Sequence, residues 1–232
     1  MASPLSQFEI NEIVPIELFG FNISFTNSAL AMLLTTASII LLMFIGTRKI
    51  TLIPSKQQTI VEATYEFIGG MITDNIGKEG IKYFSFIFSL FMFILLGNLL
   101  GMLPYSFTWT SHIIVTFAIS FFIFVAVTLI AISKHGIVKF LKFFAPSGVP
   151  KLMLILLVPI EIISYLSRPI SLSVRLFANM MAGHTLLKVI GSFVFVLGAN
   201  SYIVGGVLPV AFLVALTGLE IVIAFLQAYV FA

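Results

Sequence analysis

Three stretches of this chain, Ala29 to Thr47, Phe84 to Leu103 and Ile113 to Ser133, carry no formal charge. Each reaches the length of about 20 apolar residues that a helix needs to cross the hydrocarbon of a bilayer. Composition agrees: 60% of the residues are apolar and 9% charged, with a mean hydropathy of +1.17, and no water-soluble core of this size needs so little polar surface. The chain reads as an integral membrane protein built on helical spans.

The segment from Pro54 to Gly80 is different. Ile60, Thr64, Ile68, Met71 and Ile72 fall on one helical face and Lys56, Glu62 and Glu66 lie off it, which predicts an amphipathic helix on the membrane surface. A solvated loop helix would share that pattern. Leu152 to Val196 poses a problem of length: about 45 residues would be roughly 67 Å long as one helix, against a hydrocarbon core of about 30 Å. Either Pro159 and Pro169 break it, or it runs steeply tilted. Ser201 to Phe231, at roughly 46 Å, repeats the difficulty. Gly198, Asn200, Gly205 and Gly206 are turn signals between the two, so the expectation is an antiparallel hairpin of two tilted helices. The predicted fold class is all-α, with about five membrane-embedded helices, one surface amphipathic helix and a long, strongly tilted C-terminal hairpin. No internal repeat is visible, and five spans are few for a carrier that rocks one repeat against another.

Basic residues set the direction. Arg48, Lys49, Lys56, Lys78 and Lys82 lie between the first and second spans, and Lys134, Lys139, Lys142 and Lys151 follow the third, which puts both loops inside. The acidic N-terminus and the short Pro104 to Ser111 turn then fall outside, with Trp109 expected as an interfacial aromatic. The first 27 residues hold Glu9, Glu12 and Glu17 but no Lys or Arg, unlike a secretory signal or an arginine-rich transit peptide. That segment is expected to stay on the chain, in a bacterial inner (plasma) membrane or a mitochondrial inner membrane.

Scattered lysines form no basic stripe, so nucleic acid is not an expected partner. There is no cysteine, and His112, His135 and His184 are too dispersed for metal-ligand spacing, so neither metal nor cofactor is expected.

Within this apolar frame Arg175 most needs a reason. From Leu152 onward the only formal charges are Glu161, Arg168, Arg175, Lys188 and Glu220. A guanidinium at bilayer depth costs roughly 2.5–3.5 kcal/mol on insertion scales and cannot escape by losing its proton. At 100° per residue, Glu161, Ser164, Arg168, Ser171 and Asn179 all fall within roughly 40° of Arg175, a polar stripe, while His184 projects about 180° away. Glu220 and Gln227 form a second polar line, and an antiparallel hairpin could bring Glu220 near His184. A carboxylate and an imidazole, with ordinary pKa values of roughly 4.3 and 6.5, can relay protons, whereas a fixed cation blocks them. A purely architectural reading would pair Arg175 with Glu161 and His184 with Glu220. Glu161 is, however, roughly 21 Å from Arg175 along a straight helix, so the sequence points to a carboxylate from another subunit and an interface on the Arg175 face. Lys188 reads as a snorkelling side chain.

These residues match a known pattern. SLSVRLFANMMAGH from Ser171 to His184 and GLEIVIAFLQAYVF from Gly218 to Phe231 resemble subunit a of the F-type ATP synthase in its mitochondrial and alpha-proteobacterial form. GNLLGMLPYSF from Gly97 to Phe107 and SHIIVTF from Ser111 to Phe117 extend the likeness to nearly the whole chain. The order of His184 and Glu220 is the mitochondrial-like one; many bacterial members carry the two in the opposite order. The family commonly continues beyond the segment resembling QAYVF, where this chain stops at Ala232.

The resemblance implies a stator of the membrane (Fo) sector, not catalytic alone, which holds two offset half-channels against a rotating ring of c subunits and couples proton flow to rotation. Arg175 matches the essential cation that faces the ring carboxylate and separates the half-channels. His184, Glu220, Asn179, Gln227 and Asn98 match the outer proton path, and Glu161, Ser164 and Ser171 the inner one. Implied partners are the c-ring, peripheral stalk subunit b, other membrane-sector subunits, the lipid bilayer and protons. On this reading residues 1–232 form a single membrane domain: an N-terminal segment (1–27), a first span (28–47), an interfacial segment (54–80), a helical hairpin (84–133) and a channel-forming hairpin (152–232). The competing reading is a proton-coupled transporter or channel that works alone.

Overall fold

The computed structural model describes residues 8–15, 17–18, 21–22, 24–48, 51–103, 106–144, 151–198 and 204–232. Seven α-helices dominate: α1 (Asn27–Thr47), α2 (Lys56–Asn75), α3 (Phe84–Gly101), α4 (Ile113–His135), α5 (Ile137–Phe143), α6 (Lys151–Gly198) and α7 (Val204–Phe231). Hydroxyl caps start the first two: Thr26 Oγ1 accepts from the Ala29 amide at 3.4 Å and Ser55 Oγ from the Gln58 amide at 3.4 Å, each satisfying one amide that a helix start leaves unbonded. Gly136, at φ 77, separates α4 from α5 in a conformation that favours glycine. Five helical segments among the described residues are long and apolar enough to cross a membrane: Asn27–Thr47, Lys78–Gly101, Ile113–His135, Met153–Phe193 and Pro209–Phe231.

Helix α6 runs unbroken for 48 residues with Pro159 and Pro169 inside it, so the alternative of a break at either proline is overturned. A proline removes one backbone donor, a loss that membrane helices tolerate where neighbouring groups meet the backbone. The acceptor that Pro169 deprives of its amide is the Tyr165 carbonyl; the Ser120 hydroxyl donates instead to the carbonyl of Pro169 itself, at 2.7 Å, and ties α4 to α6. The expected turn is also revised. Gly198 ends α6 while Gly205 and Gly206 lie inside α7; Asn200, like Lys49 and Pro104 in the predicted loops, is outside the described residues.

The chain divides into two compact units, Met1–Thr110 with Met180–Ala232, and Ser111–Asn179. In the first, α3 is central and packs against α1, α2 and α7. Phe67 of α2, Phe91 of α3 and Phe225 of α7 meet with ring centroids 5.4–5.9 Å apart. Helix α2 buries Gln58, Val61, Ile68 and Ile72, whereas Ile60 is 58% exposed. The apolar face is thus rotated from the sequence expectation by about one residue, since Val61 rather than Ile60 keeps register with Ile68 and Ile72.

Trp109 is a correction. Instead of presenting its ring to lipid headgroups it is 1% exposed, its ring against the bare backbone of Gly97 and 4.9 Å from Phe93. Its indole N–H donates to Thr35 Oγ1 at 3.3 Å, and the Thr35 hydroxyl donates onward to the Ala31 carbonyl at 2.9 Å. A tryptophan can be buried when its N–H finds an acceptor. The sequence also gave no sign of two short antiparallel pairings before α1, Glu12–Val14 with Phe25–Thr26 and Glu17–Leu18 with Phe21–Asn22.

In the second unit Tyr165 of α6 is the hub. Its ring lies 4.8 Å from Phe124 and 5.5 Å from Phe144, its hydroxyl is 2.6 Å from Thr128 Oγ1, and the Arg168 guanidinium stands 5.5 Å over the ring, within cation–π range.

Because a side chain at position 97 must enter the space of the indole, Gly97→Leu is expected to cost about 1–3 kcal/mol of stability. Trp109 is the sole tryptophan, so its fluorescence should shift to longer wavelength in the variant; unchanged emission would contradict this packing.

Candidate functional site

Helix α7 buries Glu220, Ala224, Gln227, Ala228 and Phe231, a spacing of four, three, one and three residues that keeps them on one helical face. Two polar side chains on a buried face of an apolar helix are costly unless they have partners or a task. Gln227, 3% exposed, accepts from Asn98 Nδ2 at 3.3 Å. Asn98 is itself fully buried on α3. This amide pair joins residues 129 positions apart.

About two turns toward the start of α7 from Gln227, Glu220 is 6% exposed. Its carboxylate lies against Gly183 of α6, where a Cβ would collide with Oε1; the missing side chain of Gly183 makes the room. Neither carboxylate oxygen has a hydrogen-bond partner among the described residues. Glu220 borders a cleft of about 1010 Å³ whose other polar lining includes His184 and Lys188 of α6, Thr217 of α7 and Ser106. His184 Nε2 is 3.2 Å from Thr108 Oγ1, and the Phe8 ring meets the imidazole edge-on at 6.3 Å.

The structure therefore gathers four of the residues singled out from sequence in one unit: His184 and Glu220 on a common cleft, Asn98 and Gln227 in a hydrogen bond. No hydrogen bond joins Glu220 to His184, so the architectural pairing of those two is replaced by a shared cleft. The remaining candidates belong to the other unit and lie along α6. Ser164, Ser171 and Arg175 are exposed, Glu161 and Asn179 are part-buried, and Ser173 and Leu176 between them are buried. The face carrying Arg175 is thus an outward face of its unit.

Thr108, Ser106, Thr217 and Gly183 were not singled out from sequence. A hydroxyl in a turn, or a glycine in a membrane helix, is ordinary; contacts such as the 76-residue separation of Thr108 and His184 supply the meaning. The hydroxyl-rich turn after α3 is the signal that was available.

A helical membrane protein with an imidazole and a carboxylate lining one cleft between apolar helices is of the kind suited to moving protons. The family model described as ATP synthase A chain matches residues 29–232, and the chain belongs to that family. Curated relatives named ATP synthase subunit a include one from Pelagibacter ubique, 58% identical over 231 residues that cover 99% of this chain and 93% of the relative. Those from Paramagnetospirillum magneticum and Rhodospirillum rubrum are 53% and 54% identical, covering all of this chain and 94% of each relative.

A double-mutant cycle of Asn98→Ala and Gln227→Ala should show a coupling of about 1 kcal/mol, that of one buried hydrogen bond. Additive losses, measured by unfolding in detergent, would contradict the pairing.

Proposed function

We propose that this chain is the proton-translocating stator subunit of the membrane sector of an F-type ATP synthase, and that it guides protons to and from carboxylates on a ring of c subunits. The observation that carries this reading is the placement of Arg175, a permanent cation in the membrane-length stretch of α6, on an outward face among small and polar residues. Such a face suits a protein neighbour that brings an acid better than it suits lipid. The chain performs no bond chemistry of its own.

In this reading the cleft holding His184 and Glu220 is the outer access path, with Asn98 and Gln227 beside it, and Asn179 keeps the outer-path role that the family resemblance implies. A proton arriving there neutralises the ring carboxylate, and the neutral form can rotate through lipid at low cost. Glu161, Ser164 and Ser171 mark the inner path, where that carboxylate releases its proton. Arg175 then favours the ionised form by simple attraction and, never itself giving up a proton, keeps the two paths from joining. The electrical part of the gradient supplies roughly 2.3 kcal/mol per charge per 100 mV. The basic loops favour an N-terminus on the outer side of the coupling membrane, and peripheral stalk subunit b is the proposed partner that resists the torque. Residues 152–232 are the proposed channel-forming part of the chain.

Arg175→Ala in the assembled complex should abolish gradient-driven ATP synthesis in proteoliposomes. Arg175→Lys should fail as well, because a compact ammonium can lose its proton when desolvated. Normal coupled synthesis in either variant would defeat the assignment, and proton flux through the isolated chain in liposomes would favour a transporter that works alone. His184→Ala and Glu220→Ala should slow synthesis by about an order of magnitude or more while the complex still assembles.

A further inference from the structure

We propose that Thr108 is a positioning residue that holds His184 as the Nε2–H tautomer, so that the imidazole takes up and releases its proton at Nδ1 alone. The inference rests on the proton-path reading above and adds a residue and an atom to it.

Thr108 is buried, and its Oγ1 lies 2.9 Å from the carbonyl oxygen of Gly101. A carbonyl only accepts, and although the Ser106 hydroxyl also approaches it at 3.0 Å, the Thr108 contact is the shorter, so the single hydroxyl hydrogen of Thr108 is assigned to it. What Oγ1 presents to His184 Nε2, 3.2 Å away, is a lone pair. Two lone pairs do not make a hydrogen bond, so Nε2 carries a hydrogen and Nδ1 is bare in the neutral ring. Protonation then adds a hydrogen at Nδ1 and leaves the Thr108 contact unchanged, and deprotonation removes the same hydrogen. The ring cycles between charge states without exchanging tautomers or turning over.

The orienting group is itself fixed. Thr108 Cγ2 packs on the bare backbone of Gly101, where a Cβ would stand 2.6 Å from it, so methyl and hydroxyl cannot trade places freely. The titratable groups lining the cleft with His184 are Lys188 of α6 and Glu220 of α7; the turn after α3 contributes the Ser106 hydroxyl, and the Phe8 ring covers the imidazole edge. A His184 held this way is a carrier that receives and delivers at one nitrogen, not a two-nitrogen wire.

The test uses the assembled ATP synthase carrying Thr108→Val, which keeps the shape and loses the hydroxyl, and Thr108→Ser, which keeps the hydroxyl and loses the methyl. Gradient-driven synthesis is measured against pH on the uptake side, with Arg175→Ala as a parallel control. Thr108→Val should lower the rate roughly five- to tenfold, the equivalent of one hydrogen bond, and displace the pH profile; Thr108→Ser should stay within about twofold of the parent and keep its profile. Histidine ¹⁵N spectra of the parent complex, with the His184 signal identified by its loss in His184→Gln, should show a bare Nδ1 and a protonated Nε2, and Thr108→Val should show a tautomer mixture. A silent Thr108→Val, a Thr108→Ser loss as large as that of Thr108→Val, or an Nδ1–H tautomer in the parent overturns the proposal. If Thr108→Val fails to assemble, the parent spectrum decides alone. Should Arg175→Ala retain coupled synthesis, the proton-path reading falls; should Arg175→Ala fail while Thr108→Val is silent, only the role of Thr108 falls.

Discussion

The contact on which the polar cleft depends is the approach of the Glu220 carboxylate to the backbone of Gly183. A carboxylate on the buried face of an apolar helix needs space and a reason to remain polar. Gly183 supplies the space by having no side chain, and the cleft that Glu220 borders with His184 supplies the reason. A larger residue at 183 would have to displace the carboxylate or part the helices. The alanines at 224 and 228, both fully buried, keep the rest of this α7 face small, as membrane helices require where close packing rather than hydrophobic exclusion holds them together.

Hydroxyl groups recur as the device that makes burial of larger polar rings tolerable. Thr35 passes its hydrogen to the Ala31 carbonyl and accepts from Trp109; Thr108 passes its hydrogen to the Gly101 carbonyl and faces His184. In both cases a helix carbonyl fixes the hydroxyl, and the freed lone pair fixes a ring nitrogen. The arrangement uses backbone acceptors that are abundant in a helical protein and needs no additional charge. In the second unit Tyr165 follows a related pattern, with its hydroxyl against Thr128, which also bonds the Phe124 carbonyl at 2.7 Å.

The spans were legible in the sequence because lipid leaves so few alternatives: an uncharged run of about 20 residues is a strong signal that needs no knowledge of neighbours. The register of α2 was not, since Ile60 and Val61 are equally apolar and only packing on α1 and α3 selects Val61. Trp109 misled for a similar reason: near a span end the interfacial role is the commoner one, and only the juxtaposition of Gly97 and Thr35 creates a pocket for it. Arg175, His184 and Glu220 stood out by being charged or titratable where charge is costly. Thr108 and Gly183 carry no such mark.

The same asymmetry explains why two kinds of position matter at the candidate site. Ionisable residues announce themselves from one dimension because their cost is intrinsic to the side chain and the solvent. Residues that orient or admit them act through distance and shape, which exist only after the chain folds. A histidine offers two nitrogens and a freely turning ring, so the identity of the residue alone does not specify where its proton is exchanged. That choice belongs to the neighbour that holds one nitrogen, and in this fold the neighbour is a threonine whose hydroxyl is already committed to a carbonyl.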